Sequence, residues 1–161
     1  MDLIEVTKDN VDTIKFDISH DPVRPELSLE FRLSPGRRVY ALVEDSVYKA
    51  AICVAYTTKV PTTVTELDFY SQAACQDGQW GNIAVAYTVW SRAPRAGRDI
   101  VLDVLDLCKN DPHITRLVTL SPKTDMARRF HLNNGYLFGR PRLYLDPKTG
   151  KAQPWIRKNL R

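Results

Sequence analysis

Residues 83–108 read IAVAYTVWSRAPRAGRDIVLDVLDLC, and this stretch decides the fold. Its first eight residues, Ile83 to Trp90, are almost uniformly apolar, which predicts a central strand buried on both faces. Apolar residues then recur at helical spacing from residue 100 to residue 108, which predicts a helix that ends near Pro112. A basic turn, Arg95-Ala96-Gly97-Arg98, lies between the two. Such a turn favours anion binding, because free backbone N–H groups and the helix dipole point the same way.

Further strand signals lie on both sides of this unit, at residues 38–43, 48–57, 115–120, 136–138 and 143–145. The first two flank a short polar turn and predict a hairpin. Thr124 is a suitable N-cap for a second helix that runs to about residue 133. We expect residues 59–80 to be a polar connection that contains one helical turn. The order of strands and helices predicts an α/β (α+β) domain with helices on both faces of the sheet.

The length and composition are those of a globular protein. At 161 residues we expect a single domain, 1–161, with a basic tail from about residue 147. The hydrophobic fraction of 43% and charged fraction of 26% exclude wholesale disorder and coiled coil. No apolar run approaches the ~18–20 residues of a transmembrane helix, so we expect no membrane partner. Three widely spaced cysteines favour free thiols in a reducing compartment and hence a cytoplasmic location. No pair with metal-ligand spacing occurs, so we expect no metal.

Charge divides the sequence into two halves. Residues 1–81 carry 8 Lys and Arg against 13 Asp and Glu, whereas residues 82–161 carry 15 against 6. The second half is therefore expected to meet an anion, either a phosphorylated cofactor or a nucleic acid. A solvated basic face explains the charge equally well. The basic tail, which also contains Tyr144 and Trp155, is where a nucleic acid would bind.

Two motifs follow the helix, LVTLSP at residues 117–122 and FHLNNG at residues 130–135. Together with the strand and the basic turn, they resemble the Gcn5-related N-acetyltransferase (GNAT) fold. In that fold an Arg/Gly loop binds the pyrophosphate of coenzyme A, and a tyrosine on the next helix protonates the leaving thiolate. His131 occupies the tyrosine position here.

The motifs are similar, within that fold, to those of the malonyl-CoA decarboxylase family. F-H-L-x-N-G, F-V-T-L-S-P and A-V-F-Y-S-I correspond to residues 130–135, 117–122 and 84–89, and the resemblance covers roughly residues 37–145. It implies a mixed, mostly antiparallel sheet, flanked by helices and splayed open between the strands at 83–90 and 115–120. Thr88 stands where the family has serine. Asp99 stands where a small residue is usual, and we expect it to oppose a pyrophosphate unless it serves as the helix N-cap.

The resemblance also implies the site. The substrate would be a coenzyme A thioester, with no permanently bound cofactor. His131 and Thr88 would be catalytic, and Ser121 and Asn134 would bind the substrate. The expected coenzyme A contacts are the backbone at Val89, Trp90 and Ser91, followed by Arg92, Arg95, Ala96, Gly97 and Arg98.

The chemistry of the catalytic pair depends on which side of the strand Thr88 occupies. A threonine hydroxyl donates a hydrogen bond to a departing carboxylate, and an imidazole delivers a proton near neutral pH. Simple alternation places Ala86 and Thr88 on one side, which we expect to face the opening, and Tyr87 and Val89 on the other.

Three functions remain open at this stage. The first is decarboxylation of malonyl-CoA, or of a related malonyl thioester on an acyl carrier protein. The second is an N-acyltransferase that moves an acyl group from acyl-CoA to an amine. The third, which we favour least, is a nucleic-acid-binding module that uses the basic tail. The sequence also allows a homodimer.

Overall fold

The computed structural model describes residues 1–75 and 80–119 in full, together with the backbone of three short strands at 121–122, 144–145 and 155–156. The strands are β1 (Asp2–Glu5), β2 (Arg37–Glu44), β3 (Val47–Thr57), β4 (Ile83–Ser91), β5 (Arg116–Thr119), β6 (Ser121–Pro122), β7 (Tyr144–Leu145) and β8 (Trp155–Ile156). The helices are α1 (Leu29–Arg32), α2 (Val64–Ala74) and α3 (Ala96–Lys109), with a 3-10 turn at Ile18–His20.

The main sheet has the strand order β1-β2-β3-β4-β5-β8. Its pairs are antiparallel except for β4 and β5, which run parallel and are joined through α3. Parallel neighbours need such a crossover, because no tight turn can return the chain to the same end of the sheet. The mixed, mostly antiparallel sheet expected from the sequence is confirmed.

The predicted hairpin of β2 and β3 is confirmed. Asp45 and Ser46 form its two-residue turn with φ of 53° and 61°. Two left-handed residues in succession give the turn a twist that matches the right-handed twist of the strands. β3 then lies between β2 and β4 with both faces buried.

The sheet has a core on each face. On one face, α3 buries its apolar stripe against alternate residues of β2, β3, β4 and β5. On the other, α2 and the chain before β2 cover the remaining residues, with Leu67 of α2 fully buried. β4 contributes to both cores, as its apolar sequence predicts.

The expectation for residues 59–80 is wrong, because α2 is an eleven-residue helix. Thr63 caps it by accepting a hydrogen bond from the Glu66 N–H at 3.0 Å. This Thr-x-x-Glu spacing is a helix-start signal. The helix buries little besides Leu67 and Ser71, so its sequence has no broad apolar stripe.

Two expectations about the C-terminal third are tested only in part. Tyr144–Leu145 forms a strand, as expected from the 143–145 signal, and pairs parallel with Ser121–Pro122. Trp155–Ile156, within the basic tail, pairs with β5. The expected helix at 125–133 and the strand candidate at 136–138 lie outside the described residues. Within residues 1–75 and 80–119, no helix is long and apolar enough to cross a bilayer.

Candidate active site at the β4–β5 opening

The pairing of β4 and β5 covers only part of β4. Ile83–Ala86 pair with Arg116–Thr119, and β4 then continues for five residues to Ser91. A bulge lies where the pairing stops, because Cys53 of β3 faces Thr88 while the next residue, Val54, faces Ala86. Tyr87 is therefore the extra residue. A bulge bends its strand and increases the local twist, which turns the end of β4 away from β5.

After the bulge, each side chain of β4 points to the face opposite the one that simple alternation predicts. The expectation that Ala86 and Thr88 share a side is therefore wrong. Ala86 packs in the core under α3, whereas Thr88 is paired with Cys53, whose side chain lies in the opposite core. Beyond the bulge, Val89 packs toward α3 and Trp90 toward the α2 face. Thr88 therefore shares the α2 face with Tyr87 and Trp90, and not the α3 face with Ala86.

Thr88 carries a buried polar atom without a protein partner. The residue is 1% exposed, and no group in the described part of the chain meets its Oγ1 with hydrogen-bond geometry. Its neighbour across the strand is the buried Cys53 thiol, which lies 3.6 Å from Nη1 of Arg32. Burial raises the pKa of this thiol, and the positive charge of the Arg32 guanidinium only partly offsets that effect. Cys53 is thus a neutral thiol at physiological pH.

The free edge of β4 presents backbone N–H groups. The Arg92 N–H donates to the Lys49 carbonyl at 2.7 Å, so the N–H group of Arg92 points toward β3. N–H groups alternate between the two edges of a strand. The Trp90 N–H therefore also faces β3, whereas those of Val89 and Ser91 point to the edge beyond the β5 pairing. The two donors are two residues apart, about 6.5–7 Å along the strand, so either one of them suits an oxygen that gains negative charge.

Trp90 contributes packing to this end of the strand. Its side chain is 4% exposed, and its Nε1–H donates to the Tyr48 hydroxyl at 3.2 Å. The same hydroxyl meets Nδ1 of His20 at 2.5 Å and donates to the Asp17 carbonyl at 3.1 Å. Tyr48 thus fastens the segment before α1 to the end of β4. No sequence pattern predicts this network, because its members are far apart along the chain.

The turn between β4 and α3 contains the expected basic residues. Arg92, Arg95 and Arg98 are all exposed there. Arg95 is the N-cap of α3 with φ of 65°, and its side chain caps no backbone N–H. The N–H groups of Gly97 and Arg98 find no acceptor among the described residues. Uncapped N–H groups at a helix N-terminus are donors for an anion.

Gly97 and Asp99 both lie in the first turn of α3. A Cβ at Gly97 would lie 3.2 Å from the Ser91 Cβ, so glycine allows the helix to begin close against the end of β4. Asp99 is not the N-cap, because the cap is four residues earlier, at Arg95, so the expectation that its charge opposes a pyrophosphate stays a prediction. Asp99 instead places a negative charge in the first helical turn, where the dipole favours it.

The structure thus brings Thr88, Val89, Ser91 and the basic turn to one end of β4. Ser121 begins β6, while His131 and Asn134 lie outside the described residues. The same is true of most of the basic tail. Within residues 1–75 and 80–119, no cluster of three His, Cys, Asp or Glu side chains could hold a metal ion.

Similarity to solved structures extends over the whole chain, although no family model and no curated protein matches the sequence. The GNAT-like decarboxylase GphF in complex with isobutyryl-CoA has a TM-score of 0.72 at 14% identity, with both chains covered completely. The loading GNAT-like domain of CurA from Lyngbya majuscula has a TM-score of 0.66 at 12% identity, covering 99% of this chain and 97% of that one. Malonyl-CoA decarboxylase from Agrobacterium vitis has a TM-score of 0.54 at 18% identity, covering 86% of this chain and 38% of that one. At such identities the likeness concerns the fold: the chain has the GNAT-like fold that these proteins share, as the motifs predict.

Proposed function

We propose that the protein decarboxylates malonyl-CoA, or a related malonyl thioester, to acetyl-CoA and CO₂. The observation that carries this proposal is the bulge in β4. It turns the buried Thr88 hydroxyl, which has no partner among the described residues, to the α2 face of the sheet where the β5 pairing ends. The fold shared with GNAT-like decarboxylases and the F-H-L-x-N-G motif at 130–135 support the same chemistry.

The reaction breaks the bond between the carboxylate and the α-carbon of the acyl group. Thr88 Oγ1 donates a hydrogen bond to the carboxylate and holds it out of the thioester plane, so that the breaking bond overlaps the carbonyl π system. The electron pair moves onto the thioester oxygen, where the N–H group of Val89 or that of Ser91 stabilises the enolate. His131 then delivers a proton to the α-carbon, which yields acetyl-CoA after CO₂ has left.

Coenzyme A is held in this proposal by the turn between β4 and α3. Its 3′-phospho-ADP part lies against Arg92–Gly97 and the first turn of the helix. Three exposed arginines supply positive charge, and the uncapped N–H groups supply directed donors. Ser121 and Asn134 bind the acyl end.

Replacing Arg95 and Arg98 together with alanine should weaken binding of coenzyme A at least tenfold. Each charge-assisted hydrogen bond contributes about 1.5–3 kcal/mol, and both side chains are exposed, so their loss should not affect folding. Isothermal titration calorimetry measures the dissociation constant directly. Lys109→Ala is a matched control, because it removes an exposed cation from the opposite end of the same helix. Unchanged affinity in the double variant would show that the turn is merely solvated.

An N-acyltransferase is the alternative, because an N–H group at this edge, that of Val89 or of Ser91, would serve a thioester carbonyl in acyl transfer equally well. In that reaction an amine attacks the carbonyl, and His131 protonates the departing thiolate. The two candidates differ in their products. The decarboxylase releases CO₂ and needs no amine, whereas the acyltransferase acylates an amine and releases free coenzyme A.

A further inference from the structure

Buried positive charge is concentrated on the face of the sheet where Thr88 lies. Within residues 1–75 and 80–119, the charged side chains that are buried are Asp21, Arg24, Arg32 and Arg37. Arg24 and Arg37 meet carboxylates of residues that are partly exposed, Glu26 and Asp68. Only the Arg32–Asp21 pair is completely shielded from water, with both side chains at 0% exposure. A buried pair is screened far less than a surface pair, so its field acts on nearby groups.

Arg32 is held in a fixed orientation. Its Nη1 donates to Asp21 Oδ2 at 2.7 Å, its Nη2 to the Arg24 carbonyl at 2.7 Å and its Nε to the Leu27 carbonyl at 3.1 Å. The guanidinium also lies 5.6 Å from the centre of the Trp90 ring. These contacts leave the side chain no freedom to swing toward solvent.

The positive side of the pair is turned to Cys53, the residue that faces Thr88 across the two strands. Nη1 of Arg32 lies between Asp21 on one side and the Cys53 thiol, 3.6 Å away, on the other. Cys53 is directly opposite Thr88, and Trp90 lies two residues beyond Thr88 on the same face. The guanidinium is therefore flanked by the two neighbours of Thr88. An anion that Thr88 Oγ1 binds would thus lie beside the residues that Arg32 contacts, and at Cys53 the charge of Arg32 affects the thiol pKa more than the charge of Asp21 does.

We propose that the Arg32–Asp21 pair makes the acyl end of the site selective for a negatively charged acyl group. Arg32 acts through Thr88 and Cys53 as a positioning residue, because Asp21 and two backbone carbonyls hold its guanidinium in place. The substrate class is thus a thioester that carries a carboxylate, in preference to a neutral acyl group of the same size. This inference rests on the proposed function, which places the acyl group at Thr88.

Two stable thioethers test the selectivity without turnover. S-carboxyethyl-CoA has the length of malonyl-CoA but cannot lose CO₂, and S-carbamoylethyl-CoA replaces its carboxylate by a neutral amide of nearly the same shape. We expect the wild-type protein to bind the carboxylate at least about tenfold more tightly in calorimetry. Binding of neither compound would overturn the proposed function itself, whereas equal binding of both would overturn only the selectivity.

The variant that tests Arg32 removes both charges of the pair. Arg32→Met alone would leave a buried, unpaired aspartate, which is strongly destabilising. The double variant Arg32→Met with Asp21→Asn leaves no unpaired charge, and asparagine can still accept the hydrogen bonds from the N–H groups of residues 23 and 24. Circular dichroism and thermal unfolding verify that it folds. Its matched control is Arg37→Met with Asp68→Asn, which removes another Arg–Asp pair from the same face, beside Tyr87.

The expected result is a loss of discrimination. The Arg32/Asp21 variant should bind the two thioethers within about threefold of each other, with its affinity for the amide unchanged within about twofold. The Arg37/Asp68 control should keep most of the wild-type preference. A folded Arg32/Asp21 variant that retains the full preference for the carboxylate would overturn the inference, and so would an equal loss in the control.

Discussion

Replacing His131 with asparagine is expected to lower the turnover number for malonyl-CoA by about 10²–10⁴-fold, the range that a general acid or base contributes. Asparagine keeps a polar side chain of similar size but cannot deliver a proton to the α-carbon. Steady-state release of CO₂ measures kcat, and calorimetry with S-carboxyethyl-CoA measures binding. Binding should remain within about threefold of the wild-type value, because the coenzyme A contacts are elsewhere.

The control for this variant is Asn133→Ala, two residues away in the variable position of F-H-L-x-N-G. It should retain activity. His131 lies outside the described residues, so its role is predicted from the motif alone. A folded His131→Asn variant with full decarboxylation activity would leave a structural histidine, or acyl transfer, as the better explanation.

Replacing Thr88 with valine should lower kcat by about 10- to 100-fold, since a hydrogen bond to a charged group contributes about 1.5–3 kcal/mol. Valine fills nearly the same volume, and Thr88 Oγ1 has no protein partner in the described part of the chain. The melting temperature should therefore stay the same or rise. Loss of activity without loss of stability is what separates a hydroxyl that meets the substrate from one that only packs.

Thr88→Ser is the matched variant, because it keeps the hydroxyl and removes only the methyl group. It should retain activity, in line with the serine that the resembling family has at this position. Equal activity of the valine and wild-type proteins would remove Thr88 from the mechanism, while leaving the coenzyme A site at the β4–α3 turn in place.

The parts of the fold that could be predicted are those with a strong local pattern. The apolar run at 83–90 predicted β4, and the helical stripe at 100–108 predicted α3. The strand signals on either side of the turn at 44–46 predicted the β2–β3 hairpin. The basic turn was predicted as an anion site from the same stretch. Its N–H groups are uncapped because the N-cap, Arg95, makes no side-chain hydrogen bond to them. No sequence pattern predicts the left-handed conformation of Arg95.

The parts that could not be predicted depend on contacts between distant residues. The bulge at Tyr87 is set by the register against β3, and no pattern within β4 reveals it. It nevertheless determines which face Thr88 occupies. Arg32 and Asp21 lie in a segment that contains prolines at 22, 25 and 35 and no strong apolar pattern, and they form the most deeply buried ion pair among the described residues. α2 was not predicted because its apolar pattern is weak. The helix nevertheless forms, with Thr63 capping its first turn.

Product analysis with malonyl-CoA distinguishes decarboxylation from acyl transfer. The purified protein is incubated with malonyl-CoA, alone and with a lysine-containing peptide and a polyamine, and all coenzyme A species and amines are followed by mass spectrometry. We predict that malonyl-CoA is converted to acetyl-CoA and CO₂ in equal amounts, at a rate that does not depend on the amine, and that the amines stay unmodified. Acylated amine with release of free coenzyme A, or malonyl-CoA that remains intact, would contradict decarboxylation as the function of this protein.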